Sequence, residues 1–193
     1  MNRIAAGINP IDLCHIRFSA AERRSLRRLY AHGDLRARRL CVDYLRDGAG
    51  VRANRRFIFE MCERLIPDRA THLRWQALLI LGRFAQSHPR ELWPLVVKWG
   101  SDANEDIRTG VACCVLEHIL EYYHFVEFFA EAKRVVLAGN RRFARTLSQC
   151  YEPDLPRNGA LFRKFVAEHC PVPVHTHRPR KRRKRTGRGA KPQ

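Results

Sequence analysis

Arg74 is followed by Ala77, Leu78, Leu81 and Gly82, and thirty-four positions later Arg108 is followed by Val111, Ala112, Val115 and Leu116. A second apolar set keeps the same offset, with Leu92, Leu95 and Val96 answered by Val126, Phe129 and Ala130. Within each set the spacing is helical, so the unit that recurs is a helical hairpin. Such a hairpin cannot bury its apolar face without a neighbour. The expected fold is therefore all-α: an α-α superhelix of stacked antiparallel helical hairpins, about seven to eight helices in all. The offset weakens after Asn140, where Arg142 is followed by Arg145 and Thr146 instead of small apolar residues, as in a terminal unit.

Local signals place the elements. Residues 1–18 read as an arm on the first helix. Ser19 with Glu22 forms a capping box for that helix, and Gly33 and Asp34 open a second that stops at Asp47 to Gly50. A third helix carries Ile58, Met61, Cys62 and Leu65 at i, i+3, i+4 and i+7 and ends at Pro67. Thr71 stands near the start of the next. A helix beginning near Glu91 would leave Pro94 in its tolerant first turn. Asp102 and Glu105 are expected to cap the long helix that follows, and Gly139 with Asn140 to stop the one after Ala138. A last helix bears Leu161, Phe162, Phe165 and Val166.

Charge narrows the partners. The 193 residues carry a formal net charge of +18, and 31 of the 37 basic residues are Arg. Nine basic residues and no acidic one lie from His175 to the end, leaving 28 basic against 19 acidic residues in the body. Such a field attracts polyanions, nucleic acid first, with anionic membrane and acidic protein surfaces behind it. The tail, 175–193, has no apolar residue fit for a core and is expected to be disordered. Seven cysteines form no visible disulfide framework, and the longest apolar stretch, 77–82, is far too short to span a bilayer. A soluble intracellular chain, cytoplasmic or nucleoid-associated, is the expectation.

The segments Arg74 to Gly82 and Arg108 to Leu116 resemble the first helices of HEAT and armadillo repeats. That resemblance covers residues 70–140 and implies one HEAT-like domain over 1–174 followed by the basic tail. Trp99-Gly100-Ser101-Asp102 leading into Asp106-Ile107-Arg108 also resembles the repeat junctions of the HEAT-like DNA alkylation repair glycosylases. This second resemblance implies aromatic side chains and a carboxylate on a basic concave face, roles open to Trp75, Trp93, Trp99, Asp102 and Asp106.

The candidate phosphate-binding residues are the Arg clusters. Arg23, Arg24, Arg27 and Arg28 make two like-charge pairs at a spacing of four on the first helix, which an anion would relieve. Arg52, Arg55 and Arg56 stand at the unfavourable end of the third helix dipole, and Arg141, Arg142 and Arg145 at a repeat edge. Cys114, His118 and Glu121 share a helix face with zinc-ligand chemistry, but buried packing explains them better. Cys113, mid-helix among apolar neighbours, should have a raised thiol pKa. No catalytic residue, metal or cofactor is assigned. The expected function is non-catalytic binding of nucleic acid, DNA or RNA, through Arg–phosphate contacts. An alkylation-repair-type glycosylase and a protein-interaction scaffold with an electrostatic tail remain the alternatives.

Overall fold

A computed structural model describes residues 16–170, and among these every regular element is helical. Ten α-helical segments follow one another: α1 (Ala20–His32), α2 (Leu35–Gly48), α3 (Arg55–Leu65), α4 (Thr71–Gly82), α5 (Pro89–Gly100), α6 (Glu105–Val111), α7 (Glu117–Leu120), α8 (Phe125–Leu137), α9 (Arg141–Leu147) and α10 (Pro156–His169). A π-helical turn, Ala112–Leu116, joins α6 to α7 in one rod. Among the described residues no helix is long and apolar enough to cross a membrane. The expected disordered tail, 175–193, and most of the arm, 1–15, lie outside the described residues.

The boundaries follow from local chemistry. Ser19 caps α1 through the reciprocal box, its hydroxyl accepting from the Glu22 N–H while Glu22 accepts from the Ser19 N–H. Asp34 caps α2, and Gly139 holds the positive φ of +87° that lets the chain leave α8 and enter α9 under an Asn140 cap. Two expectations need correction. Asp102 does not cap α6, because its carboxylate accepts the N–H of Asn104 in a tight local turn; Asn104 then becomes the cap for Asp106. The helix expected near Glu91 starts at Pro89, so Pro94 lies inside α5 and supplies no N–H to the Arg90 carbonyl.

Two rows of helices result. In one, α2, α4, the α6–α7 rod and α9 touch in sequence; α3 packs on α4 and α5 on α6 across the short loops 66–70 and 101–104. In the other, α1, α3, α5 and α8 are tied by ion pairs between residues 33 to 37 positions apart: Arg27–Glu60, Arg55–Glu91, Lys98–Glu63 and Arg90–Glu127. Leu26, Ile58, Leu78, Leu92, Val115 and Phe143 fill the core between the rows. Arg74 and Arg108 are buried with it. Each aims Nη1 at the loop before its helix, Arg74 at the Asp68 carbonyl (3.1 Å) and Arg108 at those of Asp102 and Ala103 (2.8 and 2.9 Å). The carbonyl of buried Asp68 needs a donor, which Arg74 supplies, and Arg108 ties down the loop 101–104 in the same way.

Candidate nucleic-acid interface

α1 and α3 meet along a basic seam. The Arg23 guanidinium donates to the Ala53 carbonyl (2.9 Å), Arg27 forks onto both oxygens of Glu60 (3.0 and 2.8 Å), and the Tyr30 hydroxyl donates to the Arg64 carbonyl (2.6 Å). Arg64 adds a second guanidinium to Glu60 at 3.1 Å. The Phe57 ring lies beneath Arg23 and Arg27, with guanidinium carbons 5.6 and 5.1 Å from its centroid. Hydrogen bonds from Arg27, more than any other influence, hold the Glu60 carboxyl below its ordinary pKa and raise that of Arg27. Charge repulsion within α1 is thus met in part by the protein itself.

The remaining guanidiniums of the seam face solvent. Arg24 and Arg28 stand one position beyond the paired Arg23 and Arg27, and Arg52 and Arg56 flank the Ala53 contact on the α3 side; all four are exposed. Arg55 differs from these, since it points to α5, where Glu91 receives it at 2.9 Å and His88 also bonds to it. Of the α3 cluster, then, Arg55 has an internal anion and the other two do not lean on it. Arg141, Arg142 and Arg145 are exposed on α9, in the other row, so the ten candidate residues form two separate groups.

Two residues escaped the sequence reading. Arg17 is exposed beside the seam because Phe18 is anchored there: its N–H donates to Asn54 Oδ1 (2.9 Å) and its ring packs on Phe57. Arg64 reaches Glu60 from the next turn of α3. Neither belongs to an Arg cluster in sequence. The signal for Arg17 was Asn54, which is fully buried and binds the chain on both sides, accepting from Phe18 and donating to the Ile16 and Gly48 carbonyls.

The aromatic and carboxylate candidates are occupied. None of the three tryptophans is exposed; Trp75 donates to Asp106 Oδ1 (3.0 Å), and Arg74 pairs with the other oxygen (2.8 Å). Trp93 packs on Phe128 and Phe143, and Trp99 lines a small apolar cavity with Leu78, Leu95 and Val115. His118 faces Glu121 at 3.6 Å while Cys114 is buried, and among the described residues no group of three His, Cys, Asp or Glu is arranged to hold a metal. Burial raises the Cys113 thiol, as its apolar neighbours implied, and pushes Cys114 and Cys170 to about 11 and Cys41 to about 12. Thiols held protonated are poor nucleophiles.

Comparison with known proteins adds no assignment: no family model, curated protein or solved structure matches the chain. The function therefore rests on the geometry above.

Proposed function

We propose that the chain is a non-catalytic helical-repeat protein of the HEAT and armadillo kind that binds nucleic acid through Arg–phosphate contacts with little sequence readout. The observation that carries this is the α1–α3 seam, where Arg27, Arg64 and Arg56 all act on one carboxylate, Glu60, while Arg24 and Arg28 on α1 and Arg52 in the turn before α3 are exposed. Arg forks match phosphate geometry, and clustered cations release the counterions of a polyanion. The recurring bonds across 33 to 37 positions support the repeat reading. A cytoplasmic or nucleoid-associated location goes with this function. The glycosylase alternative is less well supported, because the Trp75 N–H is spent on Asp106, whose other oxygen is paired with Arg74.

One observation favours a protein partner as second reading. Val126 and Leu137 are 80% and 63% exposed on α8, and Tyr123 just before that helix is 94% exposed. Binding of labelled oligonucleotides by the full chain, followed by fluorescence anisotropy across a salt series, tests the first reading. Affinity that falls steeply with salt is expected. No binding at low salt, together with capture of a protein from nuclease-treated extract, would transfer the assignment to the scaffold reading.

A further inference from the structure

Resting on the nucleic-acid reading, we infer that the α1–α3 seam, and not the α9 group, is the surface that takes the phosphodiester backbone, and that Glu60 is an internal anion competing with phosphate for Arg27 and Arg64.

The two groups differ in how they are built. On α9, Arg141, Arg142 and Arg145 are exposed at the surface of one short helix, and their backbone neighbours bond inward, Asn140 to Ser101 and Thr146 to the Gly100 carbonyl. In the seam two elements contribute cations to one strip. Arg23 and Arg27 are fixed there by the Ala53 carbonyl, Glu60 and the Phe57 ring, so part of the ordering cost of binding is met before a ligand arrives. Arg24 and Arg28 are exposed one turn apart on α1, and Arg52 is exposed in the turn before α3. Arg17, exposed, precedes Phe18, whose N–H is held by Asn54 at the start of α3.

Glu60 shows how the strip treats an anion. Its two oxygens accept a bidentate fork from Arg27 and a third contact from Arg64, the arrangement a phosphate oxygen pair would take. Because the pair is half-exposed, it is worth little to stability and its anion is exchangeable. A protein ligand fits the strip poorly. Protein interfaces centre on buried apolar anchors, and none of the exposed large apolar side chains belongs to α1 or α3. A chain whose charge is carried on its backbone needs no such anchor.

The test compares three variants of the full chain, using a fluorescein-labelled single-stranded oligonucleotide and a duplex of the same length, with melting curves to establish folding. The first, Arg24→Gln/Arg28→Gln/Arg52→Gln, and the second, Arg141→Gln/Arg142→Gln/Arg145→Gln, remove equal charge from exposed positions. The seam variant should bind at least about tenfold more weakly and lose about two units of the single-strand salt slope, at roughly 0.7 per contact. The α9 variant should change affinity by less than about threefold. The third, Glu60→Gln, should bind up to about fivefold more tightly, the worth of one exposed ion pair. Equal losses from the two triple variants, or a larger loss from α9, would overturn the seam assignment while leaving the nucleic-acid reading intact. Unchanged or weaker binding by Glu60→Gln would overturn the role of Glu60. Displacement of the oligonucleotide by poly-glutamate at equal charge would assign the strip to acidic peptide, and failure of the unmodified chain to bind would remove both readings.

Discussion

A side-chain carbon on Gly82 would stand 2.1 Å from the carbonyl oxygen of Cys114, in the π-helical turn between α6 and α7. The last turn of α4 and the bulged part of the neighbouring rod thus touch backbone to backbone. A π turn widens the ladder to i→i+5, here Glu117 N–H to the Ala112 carbonyl. Gln86 reinforces the contact by donating to the His118 carbonyl.

Replacing Gly82 with Ala should therefore destabilise the fold, although Ala is the better helix former. Overpacking against backbone costs about 1–3 kcal/mol, whereas the propensity gain is about 1 kcal/mol. A net loss of up to about 2 kcal/mol in urea denaturation is expected. Unchanged or higher stability would show that the two helices can part without cost.

Arg108 and Arg142 stand at the same thirty-four-residue offset, yet Arg108 is 5% exposed and Arg142 lies exposed at the surface. Arg108→Met should cost about 2–3 kcal/mol, because the buried Arg108 guanidinium would no longer donate its charge-assisted bonds to the Asp102 and Ala103 carbonyls. Arg142→Met should lie within about 0.5 kcal/mol of the unmodified chain. Similar midpoints for the two variants in the same denaturation series would contradict the assigned role of Arg108.

Pro94 is exposed inside α5, where it denies the Arg90 carbonyl a partner. Pro94→Ala restores that N–H but also frees the unfolded chain, an entropy term of about 1 kcal/mol against an interior-proline penalty of about 3 kcal/mol. The melting temperature should rise. A fall would mean that α5 has already adapted its path to the ring.

Those elements also mark what the sequence makes legible. The Ser19–Glu22 box, the Asp34 cap and the Gly139 stop involve groups within three or four residues, so chain chemistry alone determines them. All-helical architecture was legible for a similar reason, since the spacing of Ile58, Met61, Cys62 and Leu65 buries one face of α3. The capping of α6 was not, because two neighbouring acceptors, Asp102 and Asn104, compete and only the turn geometry decides between them. The site was legible as charge but not as arrangement. Arg27 and Arg55 looked unpaired because their carboxylates, Glu60 and Glu91, are 33 and 36 positions away, and only helix packing brings them together.

Glu60 also predicts how acid acts on the seam. Its carboxyl is held below the ordinary value by Arg27, so the folded state binds its proton less readily than the unfolded chain. The associated stability is fully present above the unfolded glutamate pKa of about 4.3 and is lost as pH falls through the lower folded value. Glu60→Gln should therefore be slightly less stable than the unmodified chain at neutral pH, and the gap should narrow as pH falls below about 4.3. A difference that stays constant between neutral pH and pH 3 would show that the Arg27 pair is not the source.

The central claim, that the folded body itself binds nucleic acid, is tested most directly by removing 175–193, which carry nine basic residues and no acidic one. A chain ending at residue 174 is titrated into a labelled oligonucleotide at several salt concentrations. The account predicts weaker binding than the full chain and a flatter salt slope, because the tail's contacts and its local-concentration effect are gone, but clear affinity at low salt that falls as salt rises. Absence of binding at low salt by a folded body would contradict it and leave the tail as the sole source of attraction to nucleic acid.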